Sequence, residues 1–187
     1  MRSMITLAVV ATALSACGGG GDNSSGATTS IAQMAGTYIM PCTGTTFAPS
    51  ANPTDPKSES ETATIVISAD AASGKATISA QRRYYLNSTT CDAAALEFDL
   101  TFFGTAADKS GSKIYTGPAG KPVTASVASI AYTGLRFSKG NISFKLPAAG
   151  ATVDKAYVLD NNVLYLSKGS RGPDGLGDTL TRGAVKQ

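Results

Sequence analysis

The chain has 187 residues, a formal net charge of +3 and no histidine. Its 16 basic and 13 acidic residues are interspersed, so the charge pattern does not indicate a nucleic-acid partner. Without histidine, the chain lacks the usual base of serine and cysteine nucleophiles and the commonest ligand of transition metals. The length suits one domain with a core of its own.

The N-terminus has the pattern of an export signal. Arg2 makes the first residues positive, and residues 4–14 are apolar except for Thr6 and Thr12. A membrane-spanning helix needs about 20 apolar residues, so this run is too short to cross a bilayer. The pattern predicts a signal peptide over residues 1–16.

The signal ends in Leu14-Ser15-Ala16-Cys17, and a run of glycines follows. This motif resembles the lipobox of bacterial lipoproteins, whose cysteine is acylated and becomes the first residue of the mature protein. The resemblance implies that Cys17 carries a diacylglycerol thioether and an amide-linked chain such as palmitate, which together anchor a protein stably. Because Gly18 rather than an aspartate follows the cysteine, the resemblance also implies the outer membrane. We therefore expect a lipid-anchored cell-envelope protein that faces the periplasm or the cell surface.

The rest of the chain divides into two segments. Residues 17–30 contain the acylated cysteine and a tether rich in glycine and serine, a composition typical of flexible linkers. Residues 31–187 are expected to form a single antiparallel β-domain. Membrane attachment is expected only through the lipid on Cys17.

Two cysteines remain beyond the lipobox, Cys42 and Cys91. An exported protein meets oxidising conditions, in which such a pair usually joins. A redox pair would instead have the Cys-x-x-Cys spacing or a cysteine at the start of a helix. The spacing therefore favours a structural Cys42–Cys91 disulfide.

Apolar and polar residues alternate through the folded part, which predicts antiparallel β-structure. In the clearest strand, residues 96–102, alternate apolar side chains are expected to face a core, while Glu97, Asp99 and Thr101 face water. We expect an all-β domain of eight to ten antiparallel strands. The pattern leaves open whether these strands form a sandwich or a small barrel.

Turn residues place two hairpins along the chain. One joins residues 62–68 to residues 76–80, and the other joins residues 156–159 to residues 163–167. Within a strand over residues 123–133 the larger apolar side chains change position, which predicts a bulge near Ala128.

The remaining segments are predicted from their composition. The proline-containing residues 43–60 and the glycine-dense residues 168–178 are expected to be long loops. Residues 142–146 alternate as a strand does, and residues 179–182 are expected to close the sheet.

One turn of helix is predicted at residues 31–35, directly before Gly36-Thr37-Tyr38. This order resembles the opening of lipocalin-type barrels, with Tyr38 in place of the family's tryptophan. Arg182 is the candidate for the family's late arginine. The resemblance implies a barrel that carries a small apolar ligand.

Three pairs of residues have the chemical types that catalysis or metal binding needs: Ser110 and Lys113, Glu97 and Asp99, Asp174 and Asp178. The first pair has the Ser-x-x-Lys spacing of lysine-activated serine enzymes but none of their partner motifs. Glu97 and Asp99 could act as paired carboxylates, but polar residues two apart are also expected on the solvent-facing side of any sheet. Asp174 and Asp178 do not have the spacing of an EF-hand calcium site. A solvated surface explains each pair better, so we expect a protein that is not an enzyme and has no cofactor or metal.

One cluster has the character of a binding surface, Arg82-Arg83-Tyr84-Tyr85. Arginine forks and tyrosine rings suit carboxylates, phosphates, sugars and protein interfaces. The alternative is a strand in which a tyrosine packs inward while the stem of an arginine covers it. We expect a structural or protein-interaction module of the envelope, with an envelope protein or glycan as its partner. The alternative function is a lipocalin-like carrier of a small apolar ligand.

Overall fold

The computed structural model describes residues 30–47, 57–70, 73–117, 120–140, 148–181 and 183–187. Two short 3-10 helices, Ile31–Met34 and Ala93–Ala95, accompany nine β-strands in these ranges. The strands are β1 Gly36–Phe47, β2 Lys57–Asp70, β3 Lys75–Leu86, β4 Leu96–Thr116, β5 Pro122–Lys139, β6 Thr152–Asp160, β7 Val163–Arg171, β8 Gly177–Leu180 and β9 Ala184–Lys186. The prediction of an all-β, antiparallel domain with eight to ten strands is confirmed.

Eight of these strands form a closed ring. Strands β1 to β7 pair in order along the chain, and the short strand β9 pairs with both β7 and β1. Strand β8 pairs with β7 outside the ring. The architecture is therefore a small up-and-down barrel rather than a sandwich, and closure gives the backbone groups at the sheet edges their partners.

Both predicted hairpins are confirmed. Strands β2 and β3 pair without interruption from Glu59 opposite Leu86 to Asp70 opposite Lys75. Strands β6 and β7 are joined by Asn161 and Asn162, whose φ angles are 47° and 65°. Asparagine tolerates this left-handed conformation because its short polar side chain bonds locally.

The two predicted loops are shorter than the sequence suggested. Strand β1 continues to Phe47 and β2 begins at Lys57, so much of the expected loop over residues 43–60 is strand. Likewise β7 reaches Arg171 and β8 begins at Gly177. Pairing across the sheet satisfies the backbone groups there, and this outweighs the turn-forming composition. Residues 48–56 and the predicted strand at 142–146 lie outside the described residues.

The sheet is closed by a segment nearer the C-terminus than the one predicted. Residues 179–182 were expected to close it, but Leu180 ends strand β8, which pairs only with β7. The three residues of β9 complete the ring instead, with Val185 opposite both Ile39 and Val163.

The irregularity predicted near Ala128 is present, but it lies in β4 rather than in β5. The β4–β5 register shifts between Lys109 and Ser112, which pair with the successive residues Val127 and Ser126, while the pairing of Ala128 with Asp108 and Lys155 is regular. Ala128 packs in the barrel interior, whereas Val127 packs outside the barrel in a second cluster with Leu176. Because both faces of β5 are covered here, its apolar residues are buried on either face.

Candidate functional site

One end of the barrel is closed by the 3-10 helix Ile31–Met34. The side chains of Ile31 and Met34 are 3% and 0% exposed and belong to the interior core. Ser30 caps this helix and forms a capping box with Gln33, a pattern that the sequence alone contains. The helix therefore acts as a plug, and we call this end the plugged end.

Asp108 of β4 fastens the plug to the barrel wall. Its carboxylate accepts hydrogen bonds from the Ser30 hydroxyl at 2.7 Å, the Ile31 N–H at 2.9 Å and the Tyr157 hydroxyl at 2.6 Å. Burial alone would raise the pKa of Asp108, but these three hydrogen bonds bring it below its ordinary value. On the other side of the plug, the Tyr38 hydroxyl donates to the Met34 carbonyl at 2.8 Å. Sequence reasoning missed Asp108 and Tyr157, because no local pattern links residues this far apart.

An apolar cavity of about 140 Å³ lies directly above the plug. Isoleucines from three strands line it, among them Ile67, Ile78 and Ile130. Ligand pockets for drug-sized molecules are typically about 300–1,000 Å³. A dry apolar cavity of about 150 Å³ accommodates benzene, so this interior has room for a compact molecule only.

The inward face of β3 becomes polar towards the opposite end of the barrel. Ile78 and Ala80 line the apolar cavity, and Arg82 and Tyr84 continue the same face because side chains alternate along a strand. They line a recess of about 250 Å³ at the end opposite to the plug. We call this recess the polar mouth; the polar residues that line it are Thr43, Thr45, Glu59, Ser60, Glu61, Arg82, Tyr84, Lys168 and Thr181.

Charged groups of the polar mouth are arranged in pairs. The Arg82 guanidinium donates to the Glu61 carboxylate, with Nε 2.7 Å from Oε2, and the Tyr84 hydroxyl donates to the carboxylate of Glu59. The Tyr84 ring also stacks on Phe98, with ring centroids 5.1 Å apart. Within the described ranges, the Lys168 ammonium has neither a hydrogen bond nor an ion pair. The mouth therefore combines two carboxylates and two cations with several hydroxyl groups.

The four residues of the predicted binding cluster lie on two different faces of β3. Arg82 and Tyr84 face the polar mouth, whereas Arg83 and Tyr85 face outward. The Arg83 Nε lies 3.0 Å from Asp99 Oδ2, and Tyr85 is only 7% exposed. The structure therefore brings two of the four residues together in a recess and places the other two in structural contacts.

Asp99 and Thr101 correct the expectation that the polar residues of β4 face water. These two residues are 7% and 6% exposed. The Asp99 carboxylate accepts hydrogen bonds from Arg83 and from Gln81, whose Nε2 lies 2.8 Å from Oδ1. Side chains of the neighbouring strand thus cover this outer face. Glu97 is exposed and lies where the β3–β4 register shifts. Glu97 and Asp99 therefore have different surroundings and do not form the carboxylate pair that the sequence suggested.

The Ser110–Lys113 spacing does not produce an activated lysine. The Lys113 ammonium lies 2.9 Å from Asp174 Oδ2, and this hydrogen bond raises the pKa of Lys113. A lysine base needs the opposite shift. Asp174 also accepts a hydrogen bond from the Leu176 N–H at 3.0 Å, so its carboxylate holds the loop before β8 together.

The predicted Cys42–Cys91 disulfide is confirmed, with Cα atoms 5.9 Å apart. Cys42 lies where the pairing of β1 with β2 shifts register, between Met40 and Thr43. The bridge therefore ties the irregular part of β1 to the connection that leads into β4. This position is beside the polar mouth, to which Thr43 contributes.

Tyr38, the residue in the tryptophan position of the lipocalin resemblance, is fully buried. The ammonium of Lys186 in β9 lies over the Tyr38 ring, with Nζ 5.8 Å from the ring centroid. Arg182, the sequence candidate for the late arginine, lies outside the described residues. So do the signal peptide and Cys17.

Comparison of the chain with protein families, with curated proteins and with solved structures finds no match. Among the described residues, no helix has the length and apolar character that crossing a membrane requires. The same residues contain no group of three or more histidine, cysteine, aspartate or glutamate side chains placed to hold a metal ion.

Proposed function

We propose that this protein is a lipid-anchored binding module of the cell envelope, without enzymatic activity, that recognises its partner through the polar mouth. The observation that carries the proposal is the asymmetry of the barrel. One end is plugged by apolar side chains and fastened by Asp108, whereas the other end presents an open recess with paired charges and hydroxyl groups.

Attachment through Cys17, as the lipobox implies, would leave the polar mouth accessible. Ser30, the first described residue, is bonded to Asp108 at the plugged end. The tether over residues 17–30 would therefore join the barrel at the end opposite to the polar mouth, and a flexible linker would allow the mouth to reach an envelope partner.

The chemistry of the mouth suits a neutral partner rich in hydroxyl groups. Its two carboxylates, Glu59 and Glu61, are balanced by Arg82 and Lys168. A sugar hydroxyl both donates and accepts a hydrogen bond, so it pairs with neighbouring donors and acceptors of this kind. The stacked ring of Tyr84 adds an apolar surface beside them. An envelope glycan is therefore the partner that we propose, and an envelope protein is the alternative.

The arrangement of the carboxylates supports binding rather than catalysis. Glu61 is engaged by Arg82, and Glu59 is engaged by Tyr84. A general acid or base must be free to exchange a proton with its substrate. Both carboxylates already accept a hydrogen bond from a side chain of the protein, so neither is free to act as a general acid or base.

Retention of the purified protein on envelope glycans tests the proposal. Peptidoglycan sacculi and lipopolysaccharide, each immobilised, are the probes. We expect Arg82→Met to reduce retention strongly, and Arg83→Met, its neighbour on the outer face, to leave retention unchanged. Equal retention of the two variants, or no retention of the unaltered protein, contradicts glycan recognition at the mouth. Capture of an envelope protein that depends on Arg82 would support the alternative partner.

The apolar cavity favours the carrier function as a second candidate. Its lining consists mainly of apolar side chains and shares no residue with the polar mouth. A cavity of about 140 Å³ limits any cargo to a compact molecule.

A further inference from the structure

Two polar side chains interrupt the apolar lining of the interior cavity. Tyr132 of β5 and Lys155 of β6 both line it, next to isoleucine and leucine side chains. Lys155 is half-buried and lies opposite Ala128 in the sheet. A polar group in such a place is costly unless it is hydrogen-bonded, so the partners of these two side chains are informative.

The donors of these side chains are incompletely used. The Lys155 ammonium donates one hydrogen bond, to the Ser167 carbonyl at 2.9 Å, although an ammonium has three N–H groups. Neither the Tyr132 hydroxyl nor the Arg171 guanidinium has a hydrogen bond or ion pair within the described part of the chain. Two residues that line the cavity, Tyr132 and Lys155, therefore have hydrogen-bond donors that no described residue engages.

The charges around the cavity favour an anion. Burial, and then the charge of Arg171, lower the pKa of Lys155; burial raises the pKa of Tyr132, and the Arg171 charge opposes this rise. Asp154, whose pKa is lowered by Lys109 and also by Arg171, is paired with Lys109 at 2.5 Å. Within the described residues the Lys155 ammonium forms no ion pair, so a carboxylate in the cavity would be its counter-charge.

We propose that the interior binds a compact amphipathic acid, with its apolar body among Ile67, Ile78 and Ile130 and its carboxylate at Lys155 and Tyr132. The size of the body is that of one aromatic ring, because the cavity measures about 140 Å³. This inference specifies the ligand class of the carrier candidate and is independent of recognition at the polar mouth.

Benzoate and nitrobenzene are a matched pair of probes for this proposal. They have nearly the same shape, but only benzoate is charged. Methyl NMR signals of Ile78 and Ile130 report occupation of the cavity directly. We expect benzoate to shift these signals and to bind more tightly than nitrobenzene. Lys155→Met should raise the dissociation constant for benzoate about tenfold, the effect of one charge-assisted hydrogen bond.

Two further variants are controls for this experiment. Lys75→Met removes an exposed lysine that does not line the cavity and should leave the dissociation constant unchanged. Ala80→Phe fills the cavity while keeping Lys155, so it should abolish the response to both probes; Ala80→Leu replaces it if the larger side chain prevents folding.

The outcomes separate the ligand class from the carrier function. If nitrobenzene binds as tightly as benzoate and Lys155→Met has no effect, the anionic head group is wrong while the carrier function stands. If neither probe shifts the isoleucine signals, both are wrong. The glycan experiment at the polar mouth is unaffected by either result.

Discussion

The Tyr157 hydroxyl of β6 donates a hydrogen bond to Asp108 of β4, the residue that fastens the plug, with the hydroxyl 2.6 Å from Asp108 Oδ1. The same carboxylate holds Ser30 and Ile31, the first described residues of the chain. One side chain of β4 therefore links strand β6 to the start of the N-terminal 3-10 helix. Burial, and then the hydrogen bond to Asp108, raise the pKa of Tyr157, so its hydroxyl remains a donor at neutral pH.

The first prediction concerns this contact. Asp108→Ala removes the acceptor of three hydrogen bonds and should lower the free energy of unfolding by about 1–3 kcal/mol. Urea denaturation measures the difference, and Asp160→Ala, at the exposed β6–β7 turn, is the control. A change equal to that of the control would show that Asp108 does not hold the plug.

The contribution of Asp108 should also depend on pH in a defined direction. The pKa of Asp108 is lowered in the folded protein, so its ionised form is favoured by folding. This stabilisation is fully present above the unfolded value of 3.8 and is lost as the pH falls through the folded pKa. The difference in unfolding free energy between the unaltered protein and Asp108→Asn should therefore shrink on acidification. A difference that grows at low pH would contradict the assignment.

The disulfide should stabilise the fold without serving a redox reaction. Its two cysteines are separated by 49 positions, and closing such a loop contributes up to about 4 kcal/mol in the chain-entropy model. We expect Cys91→Ser to lower the free energy of unfolding by about 2–4 kcal/mol. Thiol alkylation of the exported protein should label Cys42 and Cys91 only after reduction. Labelling of both without a reductant would mean that the bridge does not form.

Neighbouring residues of β3 should respond differently to truncation. Tyr85 is buried, so Tyr85→Ala should cost about 3–5 kcal/mol of stability, as large aromatic truncations do. Arg82 is half-exposed in its pair with Glu61, and exposed ion pairs contribute about 0–1 kcal/mol. Thermal melts of Tyr85→Ala and Arg82→Ala compare the two faces. Early unfolding of Arg82→Ala together with a stable Tyr85→Ala would contradict the assignment of Tyr85 as the packed residue and Arg82 as the accessible one.

Period-two alternation was sufficient to predict much of this fold. The hairpin of β2 with β3 follows from alternating residues around a turn, and the disulfide follows from cysteine number and compartment. The division of Arg82 and Tyr84 from Arg83 and Tyr85 obeys the same alternation. Four consecutive residues of similar chemistry suggest a single surface, but in a strand neighbouring side chains point to opposite faces.

The remaining features depend on contacts between distant parts of the chain. Strand β9 has three residues, too few to show a pattern, yet it closes the barrel. Asp108 and Ser30 are 78 positions apart, so no local motif links them. The burial of Asp99 depends on Gln81 and Arg83 of the adjacent strand, which composition alone does not reveal. Lys155 was missed for the same reason, since its cavity exists only in the closed ring.

Membrane attachment is predicted to depend on Cys17 alone. Cys17→Ser should release the protein from membranes or block its maturation, because the lipid and not an apolar span would supply the anchor. Fractionation of cells followed by a carbonate wash measures attachment. If the variant still sediments with membranes, the lipoprotein assignment is wrong.

Photo-crosslinking in intact cells tests most directly whether the polar mouth is the recognition end of the barrel. A photoreactive residue is placed at Thr45, in the mouth, or at Asn161, in the β6–β7 turn at the plugged end. We expect Thr45 to yield a crosslink to an envelope glycan that Arg82→Met abolishes, and Asn161 to yield none. The same crosslink from Asn161, with none from Thr45, would contradict recognition through the polar mouth.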